Sequence, residues 1–336
     1  MNVWNSACKT TALLFVGAAM IALHPNRIFA QAPGVPVERD ETLTDDAPLV
    51  AKAAALRDSG KLLSSKQIAA ALKSPKPAPL ALPEPSAERL EPRALAERGR
   101  KALVRIGWFY LEKRSKQWHA NLADGYSISA DGAAATCHHC VAPEEQEMSD
   151  GYLIASDASG NVFPVTAVLA QDKEMDAAIV RVEGGTFAPL ALNDQTAPGD
   201  TVYVFSDPMS AVGYFTSGIL NRFFWLDGRK STDPSAIDGA RNLRIHVSAD
   251  WAPGSSGAAV LDVCGNAVGH VSAIDPLVSD DPLPEDKPGK QGKKSKKKSP
   301  PLTDHSALIV LHEAVPARSV RMLAKSMDAA SGSRGF

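Results

Sequence analysis

The chain has 336 residues, of which 44% are hydrophobic and 22% are charged. This composition supplies enough apolar side chains for a sizeable core, in one large or two ordinary domains. The formal net charge of -2 excludes bulk charge as a reason to expect binding to nucleic acid or to a membrane surface. Any basic behaviour must therefore be local.

The N-terminus has the pattern of an export signal. Lys9 precedes an apolar run over residues 11–23 that is too short to span a bilayer comfortably. Small residues that suit signal cleavage follow at Ala30 or Ala32. We predict residues 1–30 to be a signal peptide and the mature chain to be periplasmic or secreted, with no transmembrane span. An uncleaved membrane anchor is the alternative.

Residues 31–100 are predicted to be a proline-rich linker with short helices. Apolar residues recur at helical spacing over 48–73, with Ser64 or Ser65 as the cap of a second helix. A further helix is predicted over 86–100. No residue here suggests chemistry, so a pro-segment, a spacer and a docking helix all remain open, and the spacer is favoured.

From residue 101 the pattern changes to about a dozen short β-like runs separated by turns. Asp131-Gly132 is typical of a hairpin turn. Short strands at this density predict barrels or sandwiches and not a parallel sheet covered by helices. A helix over 316–327 is predicted to close the domain.

Residues 275–303 interrupt this pattern with an acidic, proline-rich half followed by a lysine-rich half. The lysines have neither interleaved aromatic residues nor an amphipathic period, so we predict a disordered, solvated insert. Contact with a polyanion is the alternative, and steep salt dependence would be its mark.

The stretch Pro253-Gly254-Ser255-Ser256-Gly257 lies between two β-like runs. A nucleophilic serine needs a tight turn, and small neighbours let substrate and main-chain N–H groups approach it closely. Ser256 supplies the hydroxyl, and the N–H groups of Gly254 and Ser256 could converge as an oxyanion hole.

A base and an orienting carboxylate lie upstream. His138 and His139 follow a β-like run over 133–137, and Asp176 directly precedes an apolar strand over 177–182. A serine nucleophile needs an imidazole that takes its proton and a buried carboxylate that holds the ring. A histidine, an aspartate and a serine in this order fit those roles.

Several short motifs in the right order resemble the trypsin-like serine peptidases of the bacterial HtrA/Deg type. The motifs that carry the resemblance are Gly125–Gly132, Thr136–Val141, Asp176–Val182, Gly199–Val202, Ser217–Leu220, Pro253–Gly257, Gly265–Val271 and Glu313–Ala317. The resemblance covers residues 101–328, apart from the lysine-rich insert.

The resemblance implies a mainly β fold with two six-stranded antiparallel β-barrels and a C-terminal helix. The first barrel would span about 101–184, the second about 185–328, and the active site would lie in the cleft between them. No PDZ domain is expected. The implied substrates are polypeptides, with no cofactor, no metal and no nucleic acid.

The resemblance also implies a role for each site residue. His139 becomes the general base, Asp176 its orienter and Ser256 the nucleophile, while the Gly254 and Ser256 amides form the oxyanion hole. The expected activity is that of an exported serine endopeptidase working through an acyl-enzyme. Turnover should then rise with pH near the ordinary imidazole pKa of about 6.5 to 7.

Each role has a competitor in the sequence. His138 competes with His139, and the register of the family motif favours His139. Asp172 competes with Asp176, but only Asp176 abuts the apolar strand.

The cysteines leave further alternatives open. Cys137 and Cys140 flank the histidines and could form half of a zinc site, but no second ligand pair of matching spacing follows. With Cys264 the mature chain keeps an odd number of cysteines, so one bridge or none fits the sequence equally well.

Two further features bear on specificity and activity. Asp250 lies six residues before Ser256, where trypsin-like enzymes place the base of the specificity pocket, and a carboxylate there would favour Lys or Arg at the cleaved bond. Ala258-Ala259 follows Gly257 where the family usually has Gly-Pro, so a positive φ at residue 258 would cost about 1 kcal/mol. A catalytically silent protein that binds peptides or envelope partners is therefore the alternative function.

Overall fold

The computed structural model describes residues 46–143, 147–209, 211–226, 241–278 and 307–332. The predicted signal peptide and the lysine-rich part of the insert lie outside these ranges. The described strands are β1 (Arg105–Glu112), β2 (Trp118–Ala123), β3 (Tyr126–Ser127), β4 (Ala133–Thr136), β5 (Met148–Ser156), β6 (Val162–Asp172), β7 (Ala177–Val182), β8 (Thr201–Ser206), β9 (Tyr214–Trp225), β10 (Leu243–Val247), β11 (Ala259–Leu261), β12 (Ala267–Val278) and β13 (Ala307–Pro316). The described helices are α1 (Ala47–Asp58), α2 (Ser65–Lys73), α3 (Pro92–Ala102), α4 (His138–Val141) and α5 (Ala317–Gly332).

The second half of the chain forms a closed antiparallel barrel with the strand order β10-β13-β12-β11-β8-β9. Its interior is filled by β-branched and small side chains, among them Val202, Val204, Val260 and Val271. Val202 and Val204 lie two positions apart on one strand and so point to the same face. The prediction of a six-stranded second barrel is confirmed.

The first half differs from the predicted six-stranded barrel. It is a seven-stranded antiparallel sheet in the order β2-β1-β5-β6-β7-β4-β3. The segment just before β1 meets β3, at one end of this sheet, through the bridge between Leu103 and Tyr126, beside a hydrogen bond of 3.0 Å from Val104 N to Gly125 O. A full ladder does not form here because β3 is only two residues long and the preceding Asp124 donates its N–H to Ser256 O at 2.9 Å.

The segment predicted to be a linker packs onto the first half from residue 46 onwards. Ser64 caps α2 through a reciprocal pair of hydrogen bonds with Gln67, as the sequence predicts. Ile68 and Leu72 on α2 are buried in the same cluster as β-strand residues of the first sheet. These helices are therefore part of the folded body and not a spacer that stands apart from it.

Helix α3 begins at Pro92 and not at residue 86. Proline suits the first helical position because its ring fixes φ and its missing N–H has no intrahelical partner there. A Cβ on Gly99 would lie 2.7 Å from the Cβ of Phe205 in the second barrel. Only glycine therefore allows α3 to approach β8 this closely.

The predicted insert starts too early in the sequence. Residues 275–278 belong to β12 and pair with β13, with Asp275 opposite Leu311 and Leu277 opposite Ile309. Pairing between β12 and β13 continues past Pro276, which lies opposite Val310. Among the described residues, no helix has the length and hydrophobicity needed to cross a bilayer.

Candidate active site

His139 lies on a single helical turn that follows β4. Its Nδ1 atom is 3.0 Å from both carboxylate oxygens of Asp176, and its backbone N–H donates to Asp176 Oδ1 at 3.1 Å. The neighbouring His138 has a buried Nδ1 with no partner among the described residues. The two histidines diverge because they occupy successive positions of helix α4, not because of strand alternation. Of the two, the structure brings His139 to Asp176.

Asp176 sits at the end of a tight turn just before β7. Its φ of +53° is in the left-handed region, which Asp tolerates better than most residues. Asp172 forms this turn by accepting the N–H groups of Glu174 and Met175 at 3.0 Å each, and its other oxygen accepts from Arg241 Nε at 2.7 Å. Asp172 is thus a turn residue, and its carboxylate is committed elsewhere.

Strand β12 of the second barrel supplies two further contacts to Asp176 that the sequence analysis missed. Ser272 Oγ donates to Asp176 Oδ2 at 2.7 Å, and His270 Nε2 lies 3.1 Å from Asp176 O. Residues 270 and 272 share one face of a strand. Their two-residue spacing was the available signal, because it places two polar side chains among the apolar residues Val268, Val271 and Ala273.

The charges of this cluster are coupled. Burial opposes ionisation of Asp176, but the hydrogen bonds from His139 and Ser272 outweigh it and hold the pKa of Asp176 below its ordinary range. The hydrogen bond to Asp176 in turn raises the pKa of His139 above its ordinary value. Burial lowers the pKa of His270 to about 4, so this imidazole is neutral at pH 7.

The loop that carries Ser256 depends on two glycines with positive φ. Gly254 has φ +104°, and a Cβ there would lie 2.7 Å from Asp207 O; Gly257 has φ +88°, and a Cβ there would overlap a backbone carbonyl. Ser255 is buried and donates to Ser206 Oγ at 3.0 Å. The N–H groups of Gly254 and Ser256 have no acceptor within the described residues.

The strain expected at Ala258 does not arise. The backbone φ of Ala258 is not positive, and its N–H donates to Ser255 O at 3.0 Å. The positive φ falls on Gly257 instead, so a methyl group at 258 fits the buried position that it occupies.

Ser256 and His139 line the same cavity of about 140 Å³. Cys140 lies beside them, and Ile106 and Trp108 contribute an apolar wall from β1. No hydrogen bond joins the Ser256 hydroxyl to His139 within the described residues. Although Ser256 and His139 lie far apart in the sequence, both therefore line one cavity.

Asp250 lies apart from this cavity. Its side chain is exposed, and its backbone carbonyl accepts a hydrogen bond of 3.0 Å from Thr216 Oγ1. The cavity is lined by residues of the first half and by Ser256, and Asp250 is not one of its lining residues.

The three described cysteines are all free thiols. Cys137 and Cys140 are buried beside the His139–Asp176 pair, whereas Cys264 is partly exposed and lies in another turn. Burial raises the pKa of Cys137, while the neighbouring Cys137 thiol and His139 imidazole lower the pKa of Cys140. The sulfur, imidazole and carboxylate groups therefore form one polar cluster beneath the cavity.

A comparison with known protein families matches the part of the chain that contains the candidate site. Residues 123–269 match the model of a trypsin-like peptidase domain, and this range contains His139, Asp176 and Ser256. This likeness to a trypsin-like peptidase domain covers slightly less than half of the chain.

Two known proteins are similar to this chain. An uncharacterized protein, y4bJ of Sinorhizobium fredii (strain NBRC 101917 / NGR234), is 31% identical over 166 residues, which are 46% of this chain and 22% of that protein. The chain therefore spans about a fifth of that relative's length. The structure of the HtrA-type protease AlgW with a decapeptide matches with a TM-score of 0.50 and 16% identity over 71% of this chain and 68% of the other. This second likeness concerns the fold.

Proposed function

We propose that the protein is an exported serine endopeptidase in which Ser256 is the nucleophile, His139 the general base and Asp176 the residue that orients the base. The observation that carries this proposal is the pair of 3.0 Å contacts from His139 Nδ1 to the Asp176 carboxylate, with Ser256 lining the same cavity as His139. A carboxylate on one ring nitrogen leaves the other nitrogen free to accept a proton from serine.

The reaction begins when the Ser256 oxygen attacks a peptide carbonyl while its proton passes to His139 Nε2. The negative charge that develops on the carbonyl oxygen needs donors held in place before the reaction. The unpaired N–H groups of Gly254 and Ser256 meet this need. His139 then protonates the leaving amine, and an acyl group remains on Ser256.

Deacylation repeats these steps with water as the nucleophile. His139 takes a proton from water, the acyl–oxygen bond to Ser256 breaks, and the proton returns to the serine. Asp176 keeps the imidazole oriented and stabilises its charged form. The Ser272 hydrogen bond holds that carboxylate ionised and in position throughout.

The alternative of a silent binding protein rested on strain at Ala258. Because residue 258 has no positive φ among the described residues, this departure from the family motif gives no reason to expect a distorted serine loop. The endopeptidase proposal is therefore preferred.

A fluorophosphonate probe tests the proposal, because it labels only an activated serine. The full-length protein should be labelled with one probe per chain, and Ser256→Ala should not be labelled. Ser255→Ala is the matched control, since that hydroxyl is buried against Ser206, and it should still accept the probe. Labelling that survives in Ser256→Ala would refute the assignment.

Export is proposed from the sequence of residues 1–30 alone. Mass spectrometry of the protein recovered from the periplasm or the medium should give an N-terminus just after Ala30 or Ala32. An intact Met1 in the recovered protein would refute cleavage. Contact of the lysine-rich segment with polyanions is a weaker proposal, and salt-dependent retention on a heparin column would test it.

A further inference from the structure

We propose that Cys137, His139 and Cys140 form a binding site for a thiophilic metal ion such as Zn²⁺, and that the bound ion switches the peptidase off. The site itself does not depend on the proposed function. Only the inhibition rests on the role of His139 as the base.

The three side chains already lie close enough to share one ion. One ligand atom from each of the three lies within 4.8 Å of the other two. Zinc binds sulfur at about 2.3 Å and imidazole nitrogen at about 2.0 to 2.1 Å, so its ligand atoms stand about 3.5 to 4 Å apart. The thiols and the ring need to close by only about 1 Å, which small side-chain rotations provide.

Local structure explains why these residues converge. Cys137 is the N-cap residue of α4, and Cys140 follows one turn later. Residues three positions apart share a helix face, so both sulfur atoms point to the same side. His139 is held near them because Asp176 fixes its ring. The sequence contains no second ligand pair of matching spacing, but the histidine between the cysteines already supplies a third ligand.

The donor set selects the kind of metal. Two sulfurs and one imidazole nitrogen suit Zn²⁺ and similar soft ions, whereas Mg²⁺ and Ca²⁺ require oxygen ligands. Three protein ligands with an open fourth position are typical of zinc sites that remain accessible to small molecules. His139 and Cys140 line the 140 Å³ cavity, which gives the ion a path to the site.

Metal binding replaces weak interactions with strong ones. At present Cys137 Sγ donates to Val271 O at 3.0 Å and Cys140 Sγ lies 3.8 Å from Ser256 O. On binding, each thiol loses one proton to solvent, two metal–sulfur bonds and one metal–nitrogen bond form, and no electron is transferred. The exchange is favourable because thiol hydrogen bonds to carbonyls are weak.

A bound ion disables the base whichever ring nitrogen it takes. If it binds Nε2, the lone pair that accepts the Ser256 proton is lost. If it binds Nδ1, the hydrogen bond to Asp176 is broken and Nε2 carries the ring proton, so it cannot accept another. Both arrangements leave Ser256 without a partner for proton transfer.

Binding is tested on the reduced, full-length Ser256→Ala protein, which cannot digest itself. Isothermal titration with Zn²⁺ should give one ion per chain, and Co²⁺ should give the charge-transfer absorption of cobalt–thiolate bonds. Cys137→Ala and Cys140→Ala should each weaken Zn²⁺ binding by more than about 100-fold, because loss of an outer-shell partner alone costs about 10- to 100-fold. Cys264→Ala is the matched thiol control and should bind like its parent.

Three results of this experiment would overturn the site. They are no stoichiometric Zn²⁺ binding by the reduced protein, equal binding by Cys140→Ala, and recovery of Cys137 and Cys140 as a disulfide that resists reduction. The last result would mean that the two sulfurs are not available as ligands.

Inhibition is tested separately on the protein with Ser256 intact. The rate of fluorophosphonate labelling should fall at least about tenfold when Zn²⁺ is added and return when a chelator removes it, and Cys264→Ala should behave in the same way. Absence of labelling in metal-free protein would refute the peptidase proposal and leave the binding result standing. Zn²⁺ that binds without slowing the labelling would refute the switch.

Discussion

Replacing Ser272 by alanine tests whether a hydrogen bond from the second barrel holds the Asp176 carboxylate of the first half in place. Ser272 donates to Asp176 Oδ2 at 2.7 Å, and the Asp176 side chain is only 18% exposed. A hydrogen bond to a charged group contributes about 1.5 to 3 kcal/mol, and little solvent is present to replace it. We therefore expect Ser272→Ala to lower the free energy of unfolding by that amount at pH 7.

The same change should lower kcat/KM, because the imidazole is oriented through Asp176. If the whole hydrogen-bond energy were lost from the transition state, the rate would fall by about 10- to 150-fold, at about 1.4 kcal/mol per factor of ten. A fall of about tenfold or more is the expected result. Ser272→Thr keeps the hydroxyl and should restore most of the activity.

The pH dependence of stability gives a second readout that mere loss of packing would not change. The pKa of Asp176 is held below its ordinary range, so its charge stabilises the fold above the unfolded value of about 3.9. This stabilisation is lost as pH falls through the lower, folded value. Ser272→Ala raises the folded pKa towards the unfolded one. The difference between the variants should thus be constant above about pH 5 and shrink in stronger acid.

Urea unfolding on a Ser256→Ala background measures these stabilities without autolysis, and a fluorogenic peptide measures kcat/KM with Ser256 present. Equal loss of activity in Ser272→Ala and Ser272→Thr would refute the reasoning, since the hydroxyl would then be irrelevant. A stability difference that does not change with pH would also contradict it, because the effect would not pass through the charge of Asp176.

Three further predictions follow from the described contacts. Because Asp176 raises the pKa of His139 and only the neutral ring can act as base, kcat/KM should rise with pH at a midpoint above about 6.5, and a pH–rate profile with a lower midpoint would contradict this. Gly257→Ala should lower the free energy of unfolding by more than about 2 kcal/mol, because strain at a positive φ adds to overlap with a backbone carbonyl. In Gly199→Ala, φ is +99° but the new Cβ meets open space, so the free energy of unfolding should fall by only about 1 kcal/mol. Thermal unfolding measures both changes. Asp250→Asn should reduce kcat/KM for substrates with Lys or Arg at the cleaved bond by about two- to fivefold, because an exposed ion pair contributes about 1 kcal/mol at most; an unchanged peptide-library profile would exclude this pocket.

Local patterns predict much of this fold. The apolar run after Asp176 forms β7 from Ala177 to Val182, and the Ser64 cap begins α2 one residue later. These features depend on neighbours in sequence, through strand alternation and helix capping. The same reasoning could not predict that the first half would be a seven-stranded sheet, because its closure depends on pairing between residues that lie apart in sequence, such as Leu103 and Tyr126.

The supporting contacts of the site were harder to predict than its chemical groups. The histidine, the aspartate and the serine each lie in a short motif that can be read along the chain, so these three residues could be named from the sequence. Ser272 and His270 are ordinary strand residues until β12 is placed beside Asp176. Cys137 and Cys140 likewise looked like half of a metal site, because only the fold shows that His139 brings a ligand atom within 4.8 Å of both sulfur atoms.

Hydrogen bonds to backbone groups join the two halves of the fold next to Ser256 and His139. Val271 O accepts the Gly257 N–H at 2.7 Å and the Cys137 thiol at 3.0 Å, so one carbonyl of β12 ties the serine loop to the start of the histidine turn. The Asp124 N–H adds a third link by donating to Ser256 O at 2.9 Å. Backbone donors and acceptors leave no trace in residue identity, because every residue except proline has both. A sequence can therefore name the members of such a site, while their alignment comes from the pairing of strands that lie far apart along the chain.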